Sequence, residues 1–159
     1  MDFDILLLKR LPNKDIIISS EHTFQSGAYK SKLPYVPNIG VLKFSAGDVF
    51  LKQVIDKIEK SKIVHVGTSR MKYFVKELKN YPDYPISPPN YFCPIPWWNA
   101  SDIYKHIKHY KIKYDVEVLN CDEILEESIG IHIWNNITRT KNLDKIIEPN
   151  SLIYKLINL

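Results

Sequence analysis

Six prolines, Pro82, Pro85, Pro88, Pro89, Pro94 and Pro96, crowd one stretch of this 159-residue chain. Proline has a fixed φ and no backbone N–H to donate. Neither a helix interior nor a central strand can therefore run through this stretch. It reads as an extended crossing segment, Tyr81 to Trp98. Its six rings, Tyr81, Tyr84, Tyr91, Phe92, Trp97 and Trp98, need a surface to pack on.

Before this segment, strand and helix patterns alternate. Asp4 to Leu8 reads as a buried strand, followed by a turn at Leu11-Pro12-Asn13, and Ile16 to Ile18 as a second short strand. Glu21 to Pro37 shows no usable period and is predicted as a long loop. Asn38 to Phe44 resumes a strand. Asp48 is placed to cap a helix whose stripe is Leu51, Val54, Ile55 and Ile58. A short strand, Ile63 to Val66, then leads through Gly67 into a helix striped by Met71, Phe74, Val75 and Leu78. Such alternation argues for an α/β domain. After the prolines, Ser101 is expected to cap a helix with Ile103, Ile107 and Tyr110 inward. Val116 to Val118 and Ile129 to Trp134 read as strands, and Ser151 to Ile157 as a terminal helix.

Length fits one domain, residues 1–159. Hydrophobic residues at 45% and charged residues at 25% give an ordinary globular balance. The net charge of +4 is too small to argue for nucleic acid. No apolar run approaches membrane-spanning length, and no signal peptide opens the chain. Cys93 and Cys121 follow no metal or redox spacing and read as free thiols in a reducing compartment. These features set the expectation of a soluble, cytoplasmic protein.

Two stretches carry chemistry. Met1-Asp2-Phe3-Asp4 precedes the apolar run Ile5 to Leu8. Residues at i and i+2 of a strand share a face, so Asp2 and Asp4 are placed to present two carboxylates to one point. Hard divalent cations that also hold phosphates take that arrangement; two solvated acids at a chain end are the other reading. In Ile129 to Asn135, alternation sets Ile129, Ile131 and Ile133 on one face and Gly130, His132 and Trp134 on the other. The second face suits a ligand, with room left by the glycine, or equally a core histidine packed on an indole. His106 and His109 stand at metal-ligand spacing without a third ligand and fit a solvated basic face.

The order of these pieces resembles glycosyltransferases with the DXD sugar-binding motif. Pro94-Ile95-Pro96-Trp97 and Ile131-His132-Ile133-Trp134-Asn135 are similar to the C-terminal region of the α-1,4-glycosyltransferase branch. The resemblance implies a Rossmann-like core, a mixed sheet flanked by helices, and transfer of a sugar with retention from a nucleotide-sugar donor to a glycan or other acceptor. It implies that Asp2, Asp4 and His132 bind Mn²⁺ or Mg²⁺ on the donor diphosphate. It further implies that Asn38, Gly40, Gly67, Trp97 and Trp134 line the substrate site; it names no catalytic base. The family places a nucleotide-binding half ahead of its Asp-x-Asp, whereas this sequence starts one residue before it. The expectation is thus a truncated fold, completed by a protein partner or a second copy of the chain. The alternative is a non-catalytic relic of a transferase that serves as a binding or partner subunit.

Overall fold

The computed structural model describes residues 4–23, 33, 35–61, 68–107, 110–111, 118–140 and 147–159. In chain order the elements are β1 (Ile5–Leu7), β2 (Ile17–Thr23), β3 (Tyr35–Lys43), α1 (Val49–Lys60) and α2 (Thr68–Leu78). Two 3₁₀ segments follow, Pro89–Tyr91 and Trp97–Tyr104, then β4 (Tyr110–Lys111), β5 (Val118–Leu119), α3 (Cys121–Glu127), β6 (Gly130–His132), α4 (Asn135–Thr140) and α5 (Leu152–Ile157). The predicted strand Ile63 to Val66, together with Asp2, Gly67 and His109, lies outside the described residues.

The architecture is mixed α/β with small sheets. Among the described residues, β1 pairs with β6, β2 with β3, and β4 with β5, each antiparallel. Parallel pairing is confined there to one bridge, Ile18 with Ile86.

The first half builds as its periodicity dictates. Asp48 accepts the Leu51 N–H at 2.9 Å and so starts α1. Val54 of the expected stripe is buried and Leu51 and Ile58 pack partly buried beside it, whereas Ile55 is 45% exposed and Phe50 is buried in its stead. Phe74 and Leu78 of α2 close on them. The ring centroids of Phe44, Phe74, Tyr81 and Tyr84 all lie 5.1–5.6 Å from that of Phe50, and Phe44 also meets Phe74 and Tyr84 at 6.5 and 6.4 Å. This aromatic cluster roofs the β2–β3 ribbon.

The proline segment does cross the molecule. Ser87 N–H donates to Ile18 O at 2.8 Å beside β2. Farther on, Tyr91 O and Phe92 O accept from Ile129 and His132 N–H groups, both at 2.9 Å. These three hydrogen bonds tie the segment to the β2–β3 and β1–β6 sheets, and its own Phe92 and Ile95 are buried.

Two expectations are corrected, and a helix is added. The predicted loop Glu21 to Pro37 contains strand at both ends, because β2 runs on to Thr23 and β3 begins at Tyr35. The helix expected from Ser101 is instead a 3₁₀ helix that begins at Trp97 and stops at Tyr104. Tertiary bonds replace its further turns: Glu148 N–H donates to Tyr104 O at 2.9 Å, and the Glu148 carboxylate accepts the His106 N–H at 2.7 Å. Beyond the strand expected at Val116 to Val118 the chain forms α3, which Asn120 and Glu123 open with a reciprocal capping box. No described helix is long and apolar enough to cross a membrane.

Candidate functional site

Strand β6 meets β1 in a register that pairs Ile5 with His132. Asp4, one residue before β1, is therefore carried to the end of β6, where the chain turns into α4. Three contacts fix it there. Its carbonyl accepts the Ile133 N–H at 2.9 Å. Its Oδ2 accepts the Asn135 N–H at 3.0 Å, across 131 residues of sequence. Its Oδ1 lies 2.9 Å from His132 Nε2. That oxygen is buried and takes no aligned hydrogen bond among the described residues. The approach to His132 is thus one of proximity.

His132 is itself confined. Its ring stacks on Trp134 with centroids 3.8 Å apart and planes 23° from parallel. Its other nitrogen, Nδ1, lies 3.8 Å from Cys93 Sγ. The Trp134 indole N–H donates to Ile95 O at 2.7 Å, so the Pro-x-Pro-Trp segment anchors the ring on which the histidine rests. Trp134 holds φ at 52°, a left-handed backbone that a bulky residue adopts only when its surroundings impose it. The reversal lets Trp134 leave β6 and at once offer its carbonyl to Ile137 and Thr138 N–H groups in α4.

Electrostatics reinforce the enclosure. Burial raises the Cys93 thiol well above its ordinary pKa, with further contributions from the charges of Glu21 and then Asp4. Cys93 is accordingly a neutral wall of the site and not a nucleophile.

The other expected residues fall in three places. Asn38 and Gly40 sit on β3, buried, behind Ile5. Asn38 Oδ1 accepts the Gly40 N–H at 2.5 Å. A Cβ at Gly40 would stand 2.6 Å from that oxygen and 2.9 Å from Ile5 Cδ1, so the glycine permits close packing of β3 on β1. Trp97 is 47% exposed, edge-on to Trp98, on the 3₁₀ segment that packs against α4. The room expected at Gly130 is filled by β1: a Cβ there would lie 3.1 Å from Leu6 O. Ile129, expected beside Ile131, packs instead with Ile5 and Phe92, because it precedes β6 and strand alternation does not bind it.

Sequence reasoning missed Glu21, Cys93 and the Asn135 N–H. Only a β-bulge signal could have revealed Glu21, and none is written in its neighbours. Among the described residues, no group of three or more His, Cys, Asp or Glu side chains is placed to hold a metal. Asp4 and His132 are the two candidate donors brought together.

Comparison with known proteins bears on this geometry directly. The family described as alpha 1,4-glycosyltransferase conserved region matches residues 67–159, more than half of the chain. The match takes in Ile131 to Asn135, which holds Asp4, and Pro94 to Trp97, which anchors the Trp134 ring. No curated protein and no solved structure matches the chain. A glycosyltransferase-like protein is what the match and these segments describe, and the chain belongs to the alpha 1,4-glycosyltransferase family.

Proposed function

We propose that this chain carries the donor-binding site of a glycosyltransferase that takes a sugar from a nucleotide-sugar donor to a glycan or other acceptor. One observation carries the reading: Asp4 of the Asp-x-Asp and His132 of the His-x-Trp-Asn strand meet at 2.9 Å. Neither a strand end nor a helix start needs both groups there.

The donor set suits a divalent cation that binds phosphate. Such ions use one or two carboxylates and leave other positions to water and phosphate oxygens. Asp4 and His132, with Asp2, would hold Mn²⁺ or Mg²⁺; the imidazole favours Mn²⁺. When bound, the ion supplies Lewis-acid stabilisation of charge on the leaving diphosphate.

The remaining work belongs to side chains and backbone. The Asn135 N–H holds Asp4 in one rotamer, and the Trp134 ring holds the imidazole plane, so both donors are fixed in advance. Cys93 and Trp134 keep the inner side of the histidine dry. Exposed Trp97 offers a ring face for the apolar side of a sugar. Asn38 and Gly67 would complete the substrate walls, with Gly40 in support. The reading names no general base. Two buried, unbridged cysteines support a reducing, cytoplasmic setting.

Calorimetric titration of UDP and GDP, with and without Mn²⁺, tests the proposal on the 159-residue chain and on Asp4→Asn. The amide keeps an acceptor for the Asn135 N–H and removes the charge. Metal-dependent binding that weakens at least about tenfold in the variant is the expected result. Equal binding by both proteins, or none by the folded wild type, would overturn it.

A further inference from the structure

Past the far end of β1 the chain turns toward the end of the β2–β3 ribbon. The Leu8 and Lys9 N–H groups both donate to Ile129 O, at 2.9 and 3.1 Å, where the strand stops. Leu11 then packs against the core cluster that holds Ile5 and Ile17, and Lys14 N–H donates to Pro12 O at 2.9 Å. Lys43, the last residue of β3, stands opposite Ile17 in the register. The turn and this strand end enclose an open cleft of about 610 Å³, lined by Arg10, Leu11, Pro12, Asn13 and Lys43.

The charges of that lining are of one sign. Arg10 and Lys43 supply two cations, and among the described residues no acidic side chain lines the cleft. Other cations of the molecule are answered: Lys57 meets Glu77, Lys105 meets Asp102 and Lys155 meets Asp122. Neither Arg10 nor Lys43 forms an ion pair among the described residues. Like charges on one concave wall concentrate anions there. The guanidinium fork matches a carboxylate or a phosphate with two parallel hydrogen bonds. Leu11 and Pro12 add apolar surface, and the Asn13 amide can both donate and accept. A small-ligand site combines apolar surface with a few polar groups in this way, at this size.

We propose that this cleft binds the acceptor and selects one whose sugar carries an anionic group, a carboxylate or a phosphate. This rests on the transferase reading. In that reading the donor's diphosphate sits at Asp4 and His132, at the start of β1, and Arg10 follows its other end. The six residues from Asp4 to Arg10 span at most about 20 Å, a distance that an extended oligosaccharide can bridge. A transferase takes two substrates, and the anion that Arg10 and Lys43 attract belongs to the second.

The test measures binding at low salt, without Mn²⁺ or UDP, of cellobiose, cellobiouronic acid, cellobiose 1-phosphate and inorganic phosphate. In wild type, one of the two acidic disaccharides should bind at least about tenfold tighter than cellobiose, and tighter than inorganic phosphate. The tighter of the two tells carboxylate from phosphate. In Arg10→Gln/Lys43→Gln the ratio to cellobiose should fall to about one. Lys52→Gln/Lys60→Gln, at exposed positions of α1, removes the same charge and should leave the ratio unchanged within about twofold. Four results would overturn the proposal: no preference in wild type, a preference that survives loss of Arg10 and Lys43, an equal loss in the α1 variant, or inorganic phosphate binding as tightly as both acids. Mn²⁺-dependent UDP binding is read separately on the same proteins. Its absence in wild type would remove the donor-site reading, and the acceptor role with it, whatever the acid preference at the cleft. Should the double variant at the cleft lose its native circular dichroism, Arg10→Lys, which keeps the charge without the fork, should still lower the ratio.

Discussion

Two glutamates show how the halves of this molecule differ. Glu77, on α2, lies little exposed but shallow, and its carboxylate meets the Lys57 ammonium of α1. That hydrogen bond, foremost, holds its pKa below the ordinary range. Glu21, on the β2 bulge, is bonded by the neutral Asn38 amide, and burial pushes its pKa upward. The helical half answers its buried charge with an opposite charge. At Glu21, burial outweighs the Asn38 hydrogen bond, and the shift runs the other way.

The largest effect should come from the helical half. Phe50→Ala removes a fully buried ring at the centre of the aromatic cluster and should cost about 3–5 kcal/mol in urea unfolding. A cost near zero would mean that this half is not the scaffold. Next is Gly40→Ala, whose Cβ collides with the Asn38 side chain and Ile5. It should destabilise the fold by about 1–3 kcal/mol and weaken Mn²⁺-dependent UDP binding as well. Stability loss with unaltered binding would separate β3 from the site.

Smaller still is Lys57→Met, at about 1 kcal/mol near neutral pH, since half of the lysine is in water. Its pH signature is the sharper reading. Because folding lowers the Glu77 pKa, the stability it contributes is present above its unfolded pKa and is lost as pH falls through the folded one. Lys57→Met should flatten that acid limb. Glu21 has the opposite sign: folding raises its pKa, so stability falls as pH rises from its unfolded pKa through its folded one. Glu21→Gln should remove that decline, the smallest effect of the set. Identical pH–stability profiles for the two variants, each referred to wild type, would dissolve the contrast.

Legibility in sequence followed the same divide. The stripe of α2 and the cap at Asp48 were readable because a helix relates residues three and four apart, and a cap relates neighbours. Even there the buried side of α1 turned toward Phe50, since the aromatic cluster decided which face it covered. The acid–histidine pair was legible as two motifs, and their meeting followed only from the β1–β6 register. The 3₁₀ helix at Trp97 was misread because Glu148, from the other end of the chain, competes for its last turn.

By itself, the sequence determined what short-range physics controls: where helices start, which stretch stays extended, and which residue types are available for phosphate and sugar chemistry. Tertiary structure alone decided that Asp4 faces His132, that Gly40 and Gly130 serve close packing, and that Glu21 turns inward. Each depends on pairing between strands distant in the chain. Such pairing is set by register and by the packing of faces against one another, which no local pattern encodes.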